Sequence, residues 1–390
     1  MTQPRVAIIG AGPGGLTLAS LLQRSNLEYT VFELRPKPNG PAGPSGSLDL
    51  HPDSGLLAIE ACGLTPEFGR LSIDCSEDLI LADKHGRVQH TDEGSGERPE
   101  VSRSDLSALL LSSVPEDKIH WEHKLVEVTP VPESGKWNLV FQSGPSQQFD
   151  LVIGADGAWS KVRARITDVQ PHYSSVNCIT LTIPHLSTKY PSLATLVGKG
   201  SYQACGDKKA IISQRGSQDS ARIYLMLRDE SESYLSTEGL TNPDRAALKD
   251  RLLTSTFADW SPILKSLVAT ACDEDIEPTV SSKPLYMLPV GQTWSNVPGL
   301  TLLGDAAHLM TPFAGEGVNA AMLDAVELAK CIISGIERSE TPSVQKYEKD
   351  MFERANEKSE ETWRNLGIIF AEDAPKTFVE LMKSYGPPPE

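Results

Sequence analysis

The chain has 390 residues, of which 39% are hydrophobic and 6% aromatic, values usual for a soluble globular protein with room for two domains. Its formal net charge of -16 disfavours nucleic acids and anionic membrane surfaces as partners, because both are polyanions. No stretch approaches the roughly 20 apolar residues of a membrane-spanning helix. Six cysteines are scattered singly, so we expect free thiols, no metal site and a cytoplasmic protein.

The first predicted element is a dinucleotide-binding turn. "RVAIIGAGPGGLTLASLLQR" begins with a short apolar run, typical of a buried parallel strand, and continues with G-x-G-x-x-G at Gly10, Gly12 and Gly15. Gly10 would permit the tight turn, Gly12 would let a pyrophosphate touch the backbone, and Gly15 would let the next helix pack on the strand. The anion would then lie at the N-terminus of that helix.

A second strand, "YTVFE", follows and ends at Glu33. A carboxylate at this distance from the glycines is typical of one that binds a ribose hydroxyl pair, which favours a ribose without a 2′-phosphate. The opening unit therefore predicts a site for NAD or FAD.

Two later stretches decide between these cofactors. In "DLVIGADGAWSKVRARI" a strand is followed by Asp156 and Gly157, and in "GLTLLGDAAHLMTPFAGEGVNAAMLDAVELAKCII" a strand is followed by Asp305 and then by a helix from about Val318. An NAD dehydrogenase has no use for two further ligand-facing turns, whereas FAD, with its ribityl chain and isoalloxazine ring, does. The three patterns together predict FAD.

Structural interpretations of the same residues remain open at this point. Asp156 and Asp305 could serve only as helix caps. Ser160 and Arg163 could form an exposed helix face. We interpret His308 in "GDAAH" as a packed structural residue, because no partner motif accompanies it.

The three patterns, in this order, resemble the class A flavoprotein monooxygenases, the para-hydroxybenzoate hydroxylase superfamily. The resemblance implies non-covalent FAD, NADPH or NADH as a transient reductant, and molecular oxygen as co-substrate. It also implies that Asp305 binds the ribityl hydroxyls and that the Asp156–Gly157 turn lies near FAD and the reductant. Arg103, in "EVSRSDLSALLL", matches the family arginine that contacts FAD.

The segment "PFAGEGVN" is expected to tune the flavin. Gly315 and Gly317 would let backbone N–H groups approach the pyrimidine edge of the ring, and the helix from about Val318 would point its positive end there. Such donors stabilise the anionic reduced flavin. Because the cofactor carries the chemistry, we expect no catalytic side chain.

A narrower resemblance concerns "SGSLDLHPDSG" and "GDAAHLMTPFAGEGVNAA", which look most like the tetracycline-inactivating flavin monooxygenases. By that match Asp49 is another FAD contact. Ala42 stands where those enzymes have an arginine associated with NADPH, so nicotinamide binding would depend on Arg35 or another nearby basic group. Lys209 stands near the place of a substrate-contacting arginine.

The predicted fold is mixed α/β and α+β. It has a Rossmann-like FAD-binding domain (residues 1–172 and 281–340), a second, antiparallel-sheet substrate domain (173–280) and a C-terminal bridging helix with a tail (341–390).

The resemblance implies a monooxygenase that inserts one oxygen atom into an electron-rich phenol, enol or polyketide through a C4a-hydroperoxyflavin, with tetracyclines as the leading candidates. We expect a monomer whose partner is a small molecule. The alternatives are an FAD-dependent reductase or dehydrogenase of the same fold and a non-catalytic escort protein. The candidate substrate residues are Lys209, Tyr224, Met226, Phe313 and Asn365.

Overall fold

The computed structural model describes residues 3–40, 43–72, 76–338 and 343–385. Its strands are β1 (Val6–Ile9), β2 (Tyr29–Phe32), β3 (Ser47–Asp49), β4 (Leu79–Asp83), β5 (Val88–Asp92), β6 (Glu100–Ser102), β7 (Ile119–His120), β8 (Leu125–Pro130), β9 (Trp137–Phe141), β10 (Gln147–Phe149), β11 (Leu151–Gly154), β12 (His172–Ile183), β13 (Ser201–Gly206), β14 (Lys209–Gly216), β15 (Ser220–Arg228), β16 (Ser281–Met287) and β17 (Leu300–Leu302).

Its helices are α1 (Pro13–Arg24), α2 (Gly55–Ala61), α3 (Thr65–Leu71), α4 (Arg103–Ser112), α5 (Leu186–Lys189), α6 (Pro191–Val197), α7 (Tyr234–Thr237), α8 (Arg245–Arg251), α9 (Pro262–Glu274), α10 (Asp305–His308), α11 (Gly317–Glu337), α12 (Gln345–Ile369) and α13 (Lys376–Tyr385). Within the described ranges, none of them combines the length and the apolar character needed to cross a membrane.

A five-stranded parallel sheet, in the order β17-β11-β1-β2-β7, forms the Rossmann-like half that the sequence predicts. Strands β1, β11 and β17 are buried along their whole length, as expected for a parallel sheet that is covered on both faces. Within the sheet, β2 lies on one side of β1, and β11 and β17 lie on the other side. This reversal opens a crevice at the carboxyl ends of β1 and β11, where such folds bind ligands.

The second large sheet has the order β16-β12-β15-β14-β13-β4-β5 and is antiparallel except where β13 pairs with β4. One face packs against helices α5 to α9, and the other packs against α12, α13 and Phe313. Strands β4, β5 and β16 belong to this sheet although the predicted boundaries assign residues 79–92 and 281–287 to the FAD-binding half. The predicted division of the chain therefore cuts across the sheet.

The C-terminal helix α12 joins the two halves. Near its start, the Tyr347 hydroxyl donates to the carbonyl of Leu302 in the parallel sheet, at 2.8 Å. Nearer its end, the Thr362 hydroxyl donates to the carbonyl of Thr311 at 2.7 Å, and Leu366 packs into the core beneath the second sheet. The predicted bridging helix is confirmed.

Candidate functional site

A cavity of about 330 Å³ lies at the carboxyl ends of β1, β11 and β17. Its walls come from segments far apart in sequence, namely the turns after these three strands, the loop before α11 and the start of α4. The lining residues are Gly12, Pro13, Gly14, Gly15, Leu48, Arg103, Ala155, Gly157, Leu303, Gly304, Asp305, Met310, Thr311, Pro312, Gly315, Gly317, Val318 and Ala321.

The three glycines after β1 meet three different requirements. Gly10 has φ of +111°, and a Cβ there would lie 2.2 Å from the carbonyl oxygen of Ala155. A Cβ at Gly15 would lie 2.1 Å from the carbonyl oxygen of Gly10, so only glycine lets α1 pack this closely. At Gly12 a Cβ would meet no atom within 4 Å, because that position borders the cavity. Space for a ligand is thus kept at Gly12.

Glu33, at the end of β2, lies beneath this turn. Its carboxylate accepts hydrogen bonds from the Ala11 N–H at 2.7 Å and from the Arg35 N–H and Nε at 2.9 and 2.8 Å. Burial raises the pKa of Glu33, but the bonds from Arg35 and Ala11 outweigh it and hold that pKa below its ordinary value. Neither Glu33 nor Arg35 lines the cavity itself; both support the turn that does.

Asp305 follows β17 at the start of α10 and faces the cavity. The side chain is surrounded by protein yet accessible, because the cavity opens onto it. Burial raises its pKa, and the charges of His308, Arg103 and Arg163 oppose that rise. Among the residues that the structure describes, its side chain has no hydrogen-bond or ion-pair partner. A carboxylate placed in this way is suited to accept hydrogen bonds from the hydroxyls of a ligand.

The turn after β11 divides its tasks between neighbours. Asp156 Oδ2 accepts from the Lys161 N–H at 2.7 Å, so this side chain caps a turn and not a helix. Burial raises the pKa of Asp156, and its Oδ1 atom is buried without a hydrogen-bond partner. Gly157, with φ of +75°, lines the cavity through its backbone.

Arg163 and Ser160 do not form an exposed helix face, the structural alternative that the sequence left open. Arg163 is 2% exposed, and Ser160 is 5% exposed. The Arg163 guanidinium donates to the carbonyl oxygens of Ala306 at 3.0 Å and Ala158 at 2.5 Å, and so ties the turn after β11 to the turn after β17. The "ADGAWSKVR" segment carries the signal, but only the fold shows which side the arginine faces.

The turn before α11 forms another wall. Gly315 has φ of +72°, and a Cβ at Gly317 would meet no atom within 4 Å, so the backbone here is open to a ligand. Gly315, Gly317 and Val318 all line the cavity. The 21-residue helix α11 begins at Gly317, so its positive end lies at the cavity.

Asp49 stands behind this wall rather than in it, while its neighbour Leu48 lines the cavity. Its carboxylate is 2.9 Å from His51 Nε2. The Asn319 side chain holds the same segment to α11, since its Nδ2 donates to the Asp49 carbonyl and its Oδ1 accepts from the His51 N–H, at 2.9 and 3.0 Å. Sequence reasoning missed Asn319, which gives no signal apart from its position next to "GEGV".

His308 is packed, as expected. Its Nε2 lies 2.6 Å from Asp324 Oδ2 in α11, and the same oxygen accepts from the Gly304 N–H at 3.0 Å. Burial lowers the pKa of His308, but Asp324 outweighs it and raises the pKa overall. The pair fixes the turn that carries Asp305.

Of the candidate substrate residues, four come together and one does not. Tyr224, Met226 and Phe313 belong to the apolar cluster between the second sheet and α12, and Asn365 Nδ2 donates to the Phe313 carbonyl at 3.1 Å. Lys209 lies on the opposite face of that sheet, where its Nζ donates to the carbonyl of Thr256 at 2.7 Å.

Lys209 departs from the prediction because strand residues alternate between faces. Its neighbour Ala210 packs on the side of Met226, and Lys209 therefore points to the other side. Ala42, the position that bears on nicotinamide binding, lies outside the described residues.

These features fit FAD. The backbone is open at Gly12 and Gly317, so a pyrophosphate and a ring edge could each approach a helix N-terminus. Between these positions Asp305 offers an unused acceptor to a polyol chain, and Arg103 offers a positive charge.

The comparisons with known proteins agree with this geometry. Residues 8–46 match the NAD(P)-binding Rossmann-like domain family, and residues 293–362 match the FAD binding domain family. Over 97% of its length the chain is 39% identical to monooxygenase penA of Penicillium thymicola, of which it covers 98%. The chain belongs to the FAD-dependent monooxygenases. This monooxygenase therefore uses FAD with a nicotinamide reductant, and the reductase and escort alternatives are set aside.

Two solved structures share the fold of this monooxygenase. Klebsiella pneumoniae HpxO, complexed with FAD and uric acid, matches with a TM-score of 0.78 at 19% identity, over 98% of this chain and 92% of that one. Tetracycline destructase Tet(51) matches with a TM-score of 0.69 at 17% identity, over 98% and 96%. At such identities the likeness concerns the fold alone, and the closer resemblance to the tetracycline enzymes stays a prediction.

Proposed function

We propose that this monooxygenase inserts one oxygen atom into an electron-rich cyclic substrate, a phenol, an enol or a polyketide, held between the cavity and the second sheet. The observation that carries the proposal is the link between the two at Gly46. The Arg103 N–H donates to the Gly46 carbonyl at 2.9 Å, and a Cβ at Gly46 would lie 2.3 Å from the Tyr224 hydroxyl. The face of the sheet that carries Tyr224 thus borders the wall of the cavity that carries Arg103.

When bound, FAD supplies the electrons that activate oxygen, and the protein binds, orients and shields the reactants. In this arrangement the N–H groups of the 315–317 turn and the positive end of α11 would stabilise negative charge on the reduced ring. Asp305 would hold the ribityl chain, and the Gly12 turn with the start of α1 would hold the pyrophosphate.

The sheet face supports a substrate that is cyclic and largely apolar. Met226 and Phe313 provide apolar surface, while Tyr224 and the Asn365 amide provide single polar groups. Burial raises the pKa of Tyr224, so its hydroxyl stays protonated and can donate to an enolate or phenolate oxygen. Few directed polar groups in an apolar pocket are typical of sites that select a ring by shape.

Tetracyclines remain our first substrate class to test, because the "SLDLH" and "GDAAHLMTPFAGEGVN" segments that border the cavity carry that resemblance. The fold shared with Tet(51) is compatible with it. Uric acid, present in the HpxO structure, is an electron-rich heterocycle and belongs in the same panel.

The test is incubation of the FAD-loaded enzyme with NADPH, ¹⁸O₂ and each of a tetracycline, urate and a set of phenols, followed by mass spectrometry. We expect one labelled atom in a product. Tyr224→Phe should change the yield or the KM for that substrate without changing FAD content, whereas Lys209→Met, on the opposite face of the sheet, should not. If reduced enzyme fails to react with oxygen in the presence of every compound, the proposal is wrong.

A further inference from the structure

A row of charged side chains lies behind the turn before α11. His51 Nε2 lies 2.9 Å from Asp49 Oδ2, and His51 Nδ1 lies 3.6 Å from Glu316 Oε2. The other oxygen of Glu316 is 2.6 Å from Lys358 Nζ on α12. The same Nζ lies 3.9 Å from Glu361 Oε2. Three parts of the molecule, namely β3, the start of α11 and α12, therefore meet at His51 and Glu316.

This row of charged side chains is buried at its centre and exposed to solvent at its ends. The side chains of His51 and Glu316 are each 10% exposed, whereas those of Asp49 and Lys358 are 33% and 34% exposed. A proton can thus reach the buried imidazole from solvent past either end.

The row of charged side chains also contacts the cavity wall. Glu316 lies between Gly315 and Gly317, both of which line the cavity. Asp49 Oδ1 is 3.6 Å from the position that a Cβ of Gly315 would take. A charge on a ligand at this turn would therefore interact electrostatically with His51 at short range, in surroundings partly shielded from water.

The balance of charge within this row of side chains is unfavourable for a further negative charge. Asp49 and Glu316 contact His51 directly, and Lys358 and Glu361 follow beyond Glu316. Glu100 lies opposite Asp49 in the β3–β6 pair, where burial raises its pKa to about 7. With a neutral imidazole, the carboxylates of Asp49, Glu316 and Glu361 outnumber the single ammonium of Lys358. An imidazole that takes up a proton gains one positive charge, which would offset a negative charge at the turn.

We propose that His51 takes up a proton from solvent when the flavin is reduced, and so offsets the negative charge that reduction places beside the 315–317 turn. Two electrons and one proton convert the flavin to its anionic reduced form, and a second proton goes to His51. His51 is then a positioning residue that acts through Glu316 and the turn, without touching the ring. The inference rests on the proposed position of FAD in the cavity.

The test is anaerobic photoreduction of the FAD-loaded protein at several pH values, with a pH indicator to count protons and a reference dye to give the midpoint potential. Neither oxygen nor substrate enters, so the result is independent of whether the monooxygenation proposal holds. Wild-type protein should take up more than about one proton per two electrons at some pH between about 5 and 8.

Two variants remove the titration while keeping one hydrogen bond each. His51→Gln retains a donor near Asp49, and His51→Asn retains one near Glu316. Both should lose the extra proton and show a flatter dependence of midpoint potential on pH, while the control His85→Asn, in the exposed turn between β4 and β5, should behave as wild type.

Proton uptake that is unchanged in both His51 variants would overturn the proposal. Loss of FAD from both would also overturn it, because His51 would then have a purely structural role. Glu316→Gln, which leaves the imidazole with one carboxylate neighbour, should reduce the extra proton uptake.

Discussion

Single residues in the turn after β1 separate ligand binding from folding. Gly12 and Gly15 belong to one motif, yet a Cβ at Gly12 meets only open cavity, whereas a Cβ at Gly15 would lie 2.1 Å from a backbone oxygen. The position of the open space is the reason to assign Gly12 to the pyrophosphate and Gly15 to the packing of α1 on β1.

We expect Gly12→Ala to leave the melting temperature of the FAD-free protein unchanged and to weaken FAD binding. Gly15→Ala should lower that melting temperature or prevent folding, because backbone must move. Thermal unfolding without FAD and fluorescence titration with FAD measure the two effects. Equal FAD affinity in Gly12→Ala and wild type would place the pyrophosphate elsewhere.

A second residue-scale prediction concerns Glu33 and acid. Because the folded-state pKa of Glu33 is lowered, its contribution to stability is complete above its unfolded pKa and is lost as pH falls through the folded value. As the pH is lowered below about 4.3, the unfolding free energy of wild type should therefore fall more steeply than that of Glu33→Gln. Urea denaturation at stepped pH checks this, with exposed Glu60→Gln as the control. Parallel curves for wild type and Glu33→Gln would contradict the assignment.

Among the elements, α12 carries a buried contact that fastens it to the parallel sheet. Glu348 is 2% exposed and accepts hydrogen bonds from Trp294 Nε1, Asn296 Nδ2 and the Thr301 hydroxyl at 3.2, 2.8 and 3.0 Å. Its removal would leave three donors without this acceptor, of which the Thr301 hydroxyl is buried.

Glu348→Ala should lower the unfolding free energy of the FAD-loaded protein by about 1–3 kcal/mol, since the buried Thr301 hydroxyl would lose its acceptor while water can reach Trp294 and Asn296. Glu353→Ala, at an exposed position of the same helix, should change it little. Chemical denaturation gives both values. A small loss at Glu348 would mean that α12 is held mainly by its apolar contacts.

Elements with a local pattern could be predicted from the sequence, and contacts between distant segments could not. The β1–α1–β2 unit and the turns carrying Asp156 and Asp305 follow from glycine spacing and apolar runs within each segment. The pairing of β4 with β13 joins residues about 120 apart, and nothing in either segment specifies it. Lys209 shows the same limit at the site, because one residue of strand register decides which face it occupies.

At the scale of the whole molecule, the cavity is where distant parts of the chain meet. Its walls combine residues 12–15, Leu48, Arg103, Ala155, Gly157, residues 303–305 and seven residues of the segment 310–321. FAD bound in this cavity would supply contacts that connect these segments. Cofactor binding and global stability are then linked.

Removal of FAD should therefore lower the melting temperature of the whole protein in one transition. With free FAD at about 100 times its Kd, the unfolding free energy should rise by about 2.7 kcal/mol over the FAD-free protein. In Asp305→Ala the ribityl hydroxyls would lose an acceptor, so FAD affinity should fall by about 1–3 kcal/mol and the stabilisation at the same FAD concentration should shrink accordingly. The exposed carboxylate variant Asp168→Ala is the control and should keep the full effect. Calorimetry with and without FAD measures each difference. If Asp305→Ala is stabilised as strongly as wild type and binds FAD equally well, the polyol chain does not lie against Asp305, and the proposed direction of FAD along the cavity must be changed.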